Sequence, residues 1–194
     1  MRPVAVAITG GIGAGKTEAL HAFARHGAAT ISSDEIVRRL LREDDDVRAA
    51  LIDRFGDGIL DDAGNIDRAA IGKRVFAEPS ELMWLENLLH PLVVGTYMEW
   101  REQLAARENP PALTVTEVPL LYEVGGDERF DKVVVITAPP DVRHERTNVT
   151  DAEDRESRLI SDEEKASRAD FVYVNDGSRT DLDRFVADVV EALS

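Results

Sequence analysis

Hydrophobic and polar positions along this chain follow two rhythms. Val4 to Ile8 is a short apolar run, Val-Ala-Val-Ala-Ile, bounded by Pro3 and Thr9-Gly10, and it predicts a buried strand. A glycine-rich turn follows. Lys16 to Arg25 then sets Ala19, Leu20, Ala22 and Phe23 at helical spacing, ending at Gly27. Ala28 to Ile31 predicts a second strand, and Asp34 to Arg42 a helix with Ile36, Val37, Leu40 and Leu41 on one face. From Asp44 to Asn109 the rhythm is helical throughout, with Leu85, Leu88, Leu89, Leu92, Val93 and Trp100 keeping steps of three and four. Pro91 is expected to break a helix or start one after His90. Leu113 to Val118, Lys132 to Thr137 and Phe171 to Val174 predict three more strands. Helices are predicted over Asp141 to Arg146, Asp154 to Arg168 and Thr180 to Leu193.

Strands alternating with helices predict an α/β protein with a mostly parallel sheet covered on both faces. The strandless block over about residues 44–109 reads as a helical insertion on one side of that sheet. A length of 194 residues suits a single domain carrying such an insertion.

Composition narrows the function classes. The chain has no cysteine, which excludes disulfides, thiolate zinc sites and a cysteine nucleophile. No apolar run approaches the ~18 residues of a membrane span, and no signal-peptide pattern opens the chain. A soluble, cytoplasmic protein without membrane partners is expected. The net charge of -15 argues against nucleic acid and anionic membranes, because both are bound through basic surfaces. A protein this acidic that binds a polyanion must gather its few cations at one place.

That place is visible. Gly10-Gly11-Ile12-Gly13-Ala14-Gly15-Lys16-Thr17 fits G-x-x-x-x-G-K-[ST] in full, with a predicted strand before it and a helix after it. Glycines let consecutive N–H groups turn into one concavity, and the helix presents its positive end to the same point. Lys16 then reaches the outer phosphates of ATP, and the Thr17 hydroxyl is placed to ligate Mg²⁺. A dinucleotide fingerprint beginning at Gly11-Ile12-Gly13, with Asp34 as its distal acid, fails because its last position falls on Lys16. Glu18 stands where many such loops carry a hydroxyl residue; it either joins the nucleotide site or leans outward at a helix N-terminus.

A P-loop alone does not select a reaction. The chain is too short for a motor and has no guanine-reading N-K-x-D element. A small-molecule kinase needs an acceptor-side base, a metal-shell acid and a lid with arginines. Asp34, after the second predicted strand, suits the base and also suits a helix N-cap. Glu117, ending the third, suits an acid that touches the Mg²⁺ shell through water. Arg143, Arg146, Arg155 and Arg158 crowd the stretch after the fourth, where they can fold over the triphosphate or form a solvated helix face.

Several elements resemble the dephospho-CoA kinase family. They are Thr9 to Lys16, Ile31-Ser32-Ser33-Asp34, Leu88-Leu89-His90-Pro91, Val118-Pro119-Leu120-Leu121-Tyr122-Glu123, and Ala169-Asp170 with Val174-Asn175-Asp176-Gly177-Ser178. They run in the family's order over nearly the whole chain. The resemblance implies a P-loop three-layer sandwich with a five-stranded parallel sheet, a helical acceptor-binding insertion over about residues 44–109 and a short lid over about 139–168. It implies transfer of phosphate from ATP to the ribose 3′-hydroxyl of dephospho-CoA, giving coenzyme A. Asp34 then aligns with the catalytic base, Arg68 and His90 with the acceptor side together with Glu117, and Asn175 with the nucleotide site. Arg146 aligns with a lid arginine, but the second lid arginine falls on Thr150 and the glutamine of a later R-x-x-x-Q element falls on Leu159. A monomer or small homo-oligomer is expected. Another small-metabolite kinase and a non-catalytic ATP-binding regulator are the alternative readings.

Overall fold

The computed structural model describes residues 2–146 and 159–194. Five strands form one parallel sheet in the order β2-β3-β1-β4-β5. They are β1 (Val4–Thr9), β2 (Ala29–Ser32), β3 (Leu113–Glu117), β4 (Lys132–Thr137) and β5 (Phe171–Val174). β1 lies at the centre, with Ile8 beside Glu117 of β3 and Thr9 beside Val135 of β4. This explains its unbroken apolar run, since both of its faces are covered.

The chain divides into two compact units, residues 1–33 with 101–194, and residues 34–100. The first holds the sheet. On one face Val6, Ile8, Leu113, Val115, Val134 and Ile136 pack against Phe23 of α1 (Lys16–Arg25) and Leu182 and Val186 of α8 (Arg179–Leu193). On the other, Ala7, Val133 and Val135 meet Leu121 and Tyr122 of the turn after β3. The period-two alternation of β4 divides its valines between these two cores. Ser178 and Asp181 start α8 with a reciprocal capping box, so the serine of the Asn-Asp-Gly-Ser run is a helix cap.

The second unit is helical. α2 (Ser33–Glu43) is followed by α3 (Asp45–Phe55), α4 (Arg68–Ala77) and α5 (Pro79–Ala105), the last running on into the first unit. α3 buries Val47, Leu51 and Phe55 at steps of four, and Phe55 meets Trp84 of α5 edge to face at 5.5 Å. Arg54 grips Glu81 with two hydrogen bonds of 2.8 Å and lies over the Trp84 ring.

Two helix boundaries differ from the sequence reading. Pro91 does not end a helix but lies inside α5. The missing N–H costs one bond, to the carbonyl of Asn87, an exposed residue whose carbonyl can turn to water, and a helix of 27 residues keeps its bonds on either side. The helix read over Asp154 to Arg168 is described only from residue 159, and there it begins at Asp162 as α7 (Asp162–Ser167). Ser161 caps it by accepting the Glu164 N–H at 3.1 Å, while the Ile160 N–H turns instead to Glu123. Ser161-Asp162-Glu163-Glu164 has the spacing of a capping box, a local signal that marks this start. α6 (Pro140–Arg146) runs to the last described residue before 147–158, and Thr150, Arg155 and Arg158 lie outside the described residues.

Candidate active site

The phosphate cradle is built from one continuous turn. Gly15 precedes α1 at φ 99° and ψ 23°, a left-handed conformation that glycine adopts without strain. A Cβ there would collide with the Nδ2 of Asn175. Gly13 also has positive φ, and Ala14 is fully buried beneath the loop. Lys16 turns its ammonium back over the turn, donating to the carbonyls of Gly10 at 3.1 Å and Gly11 at 2.8 Å. The helix N-terminus and this cation therefore face the same space. Ile12 is half-buried in the turn.

Thr17, the first-turn hydroxyl of α1, donates to Glu117 Oε1 at 3.2 Å. Glu117 ends β3 and is only 4% exposed. The two residues bring together hard oxygen donors of the kind Mg²⁺ takes, at a separation close to that of neighbouring ligands around an octahedral ion with bonds of about 2.0–2.1 Å. No group of three or more His, Asp or Glu suited to a metal occurs among the described residues. That donor set fits an ion held mainly by phosphate and water.

Asn175 turns its amide to the loop. It is buried, its Nδ2 donates to the Ala14 carbonyl at 2.8 Å, and its own N–H continues the sheet to Thr137. It braces the loop from behind. Gly15→Ala is therefore expected to destabilise the protein by about 1–3 kcal/mol through forced φ and collision together. Urea unfolding reads this, and an unchanged midpoint would show that the brace yields. Glu18 turns away from the cradle, with its carboxylate on Arg25 at 3.4 Å, and Arg25 is in turn bound to Asp183 of α8 at 2.7 Å.

The two arginines of α6 separate. Arg146 is exposed and donates to the Asn175 carbonyl at 3.2 Å, on the loop that supports the cradle. Arg143, one turn earlier on α6, lies against the cradle itself: a Cβ at Gly11 would stand 2.5 Å from its Nη1. Its partner there is Asp162 of α7 at 3.5 Å. Behind α7 the almost fully buried Lys165 pairs with Glu123 Oε1 at 2.8 Å. Beside this pair, burial pushes the Tyr122 phenol up, while Arg168, over its ring at 4.2 Å, pulls it down. A cavity of about 430 Å³ opens here, lined among others by Gly11, Pro139, Arg143, Asp162, Lys165 and Val174. Glu123 entered the sequence reading only as the end of the Pro-Leu-Leu-Tyr-Glu element, and Asp162 and Lys165 were not singled out, because each acquires its role from a partner far along the chain.

Three candidates lie in the helical unit. Asp34 is in the first turn of α2 rather than at a cap, is exposed, and accepts no hydrogen bond among the described residues. Arg68 opens α4 behind its cap Asp67, and its exposed guanidinium has no partner among the described residues. His90 is half-buried in mid α5, not at a helix start.

A family model described as dephospho-CoA kinase matches residues 4–181. A dephospho-CoA kinase of Yersinia pseudotuberculosis is 36% identical over 188 residues, covering 94% of this chain and 89% of the relative. One of Brucella melitensis is 36% identical over 198 residues, covering 98% and 96%. Among solved structures, a dephospho-CoA kinase of Campylobacter jejuni superimposes with a TM-score of 0.69 at 26% identity, covering 100% of this chain and 99% of that one. A shikimate kinase of Aquifex aeolicus, at 14% identity and a TM-score of 0.53 over 97% of each chain, shares the fold.

Proposed function

The chain belongs to the dephospho-CoA kinase family and phosphorylates dephospho-CoA with ATP; from that premise we propose that the acceptor atom is the ribose 3′-hydroxyl and that Asp34 is its base. The convergence of Lys16, the Thr17–Glu117 pair and Arg143 on one glycine turn supports the phosphate side of this reading, and the exposed Asp34 carboxylate directly after β2 supports the base. Phosphoryl transfer is mainly positioning and neutralisation of shifting charge, and these groups supply both.

The amides of Gly11, Gly13, Gly15 and Lys16 hold the triphosphate, and the Lys16 ammonium, now on its own loop's carbonyls, turns to the outer phosphates. Thr17, with Glu117 behind it, would hold Mg²⁺, which would supply neutralisation of charge on the phosphates. Asn175 acts by bracing Ala14 and Gly15 rather than by touching nucleotide. Asp34 orients the acceptor oxygen and takes its proton late in the transfer. Arg68 and His90 belong to the acceptor side. The family reading also favours a cytoplasmic enzyme, and no described helix is long and apolar enough to cross a membrane.

Arg146 and Arg143 are the arginines that meet the nucleotide from the lid. Arg146→Ala is expected to lower kcat about 10²-fold, as loss of a transition-state charge partner does. Steady-state kinetics decide it: a silent Arg146→Ala beside a damaging Arg143→Ala would give the role to Arg143 alone. The reaction itself is tested by ADP formation with ATP, Mg²⁺ and dephospho-CoA, against a panel of other nucleotides and hydroxyl acceptors. Release of ADP with another acceptor but not with dephospho-CoA would overturn the assignment. ATP binding without acceptor-dependent ADP would indicate a regulator.

A further inference from the structure

We propose that Asp162 is a positioning residue for phosphoryl transfer: its carboxylate holds the Arg143 guanidinium at Gly11, so that the arginine meets the triphosphate already in place. The proposal rests on the reading of Arg143 as a phosphate-side cation.

The geometry is specific. The Arg143 guanidinium is 17% exposed and the Asp162 carboxylate 22%, and they meet at 3.5 Å. Both converge on one backbone position: a Cβ at Gly11 would stand 2.5 Å from Arg143 Nη1, 3.3 Å from Asp162 Oδ1 and 3.4 Å from Asp162 Oδ2. The Gly11 carbonyl is also the one that takes the Lys16 ammonium at 2.8 Å. One carboxylate and two cations therefore gather around Gly11, at the mouth of the phosphate cradle.

Asp162 can hold a long side chain only if its own helix is held. α7 has two anchors. Ser161 caps its first turn, and Lys165, one turn beyond Asp162, is buried to 1% exposure in its ion pair with Glu123. Glu123 Oε1 also accepts the Ile160 N–H at 3.2 Å, just ahead of the cap. The other oxygen, Oε2, is buried and accepts no hydrogen bond among the described residues, so Lys165 is the cation that compensates this carboxylate. The segment from Ile160 to Lys165 is thus tied to the turn after β3, and Asp162 projects from a fixed helix.

The energetic logic separates positioning from simple electrostatics. An unrestrained arginine loses rotamer freedom when it binds phosphate, and a carboxylate that orders it beforehand removes part of that cost. As a charge, however, Asp162 repels the incoming polyphosphate. If repulsion dominated, removing it would tighten nucleotide binding and leave turnover alone. If positioning dominates, its removal lowers kcat.

The test is a double-mutant cycle in the full chain, read by kcat, ATP KM and melting temperature. Asp162 is not in the core and precedes the helix interior, so Asp162→Asn is expected to fold. It is expected to lower kcat about ten-fold, or about 1.4 kcal/mol of barrier, with melting temperature nearly unchanged. In an Arg143→Ala background the same substitution is expected to change kcat less than about two-fold, because the residue it positions is gone. Asp162→Glu, which keeps the charge, is expected to recover part of the rate. Two results would overturn the proposal: independent, multiplying effects of Asp162→Asn and Arg143→Ala, or an Asp162→Asn variant with lower ATP KM and unchanged kcat. A silent Arg143→Ala would instead sink the reading of Arg143 on which the proposal rests.

Discussion

Lys16→Ala is expected to lower kcat by about 10³-fold or more while leaving the melting temperature within a few degrees of the parent. The two quantities separate because the ammonium's two described hydrogen bonds are with the loop itself. It donates to two carbonyls of the turn, Gly10 and Gly11, and those groups lie at the mouth of the cradle, where water can replace it. The fold of the turn rests elsewhere, on Asn175 behind Ala14 and on the glycine at φ 99°. Turnover has no such substitute. Negative charge moves from the transferred group towards the leaving oxygen, and a cation held at the outer phosphates stabilises that charge at little reorganisation cost. Single-turnover measurements with saturating ATP distinguish weakened binding from slowed chemistry. A variant retaining near-parental kcat would remove Lys16 from the mechanism.

Asp34→Asn is expected to cut kcat by roughly 10²–10⁴-fold with ATP KM near the parental value. The acceptor hydroxyl has a pKa far above neutrality and is a poor nucleophile until it is aligned and relieved of its proton. Asparagine keeps the shape of aspartate and removes only the base. The competing explanation, that Asp34 caps α2, is answered by the structure: the residue lies within the first turn, and its carboxylate accepts no backbone N–H among the described residues. What remains for stability is its favourable placement near the positive end of the helix, worth about 0.3–1 kcal/mol. A small drop in melting temperature with a large drop in kcat would identify a base. A small drop in both would leave Asp34 as a first-turn acid only.

Much of this protein was legible from local pattern. The P-loop is continuous in sequence, so its strand, glycine turn and helix could be recognised together, and the backbone angles follow from having glycine at positions 13 and 15. The apolar runs of β1 and β4 reported their burial, because a parallel strand covered on both faces takes apolar residues at every position. The family's spaced elements indicated the reaction. What local pattern could not decide was which elements become neighbours. Glu117 reaches Thr17 across 100 residues, and Asn175 reaches Ala14 across 161. Those meetings depend on the order of strands in the sheet, which places β1 between β3 and β4. The two arginines of α6 show the same limit. Arg143 and Arg146 are near-equivalent as sequence, but α6 turns one towards Gly11 and the other towards the Asn175 carbonyl. Pro91 shows it for the helix, whose length and hydrogen bonds on either side outweigh one lost donor. Residue type and spacing determined the chemistry available to the chain, through propensities and backbone angles that act over a few residues. Only the tertiary structure decided which charge meets which, because burial and Coulomb energy depend on distance in space and not on distance along the chain.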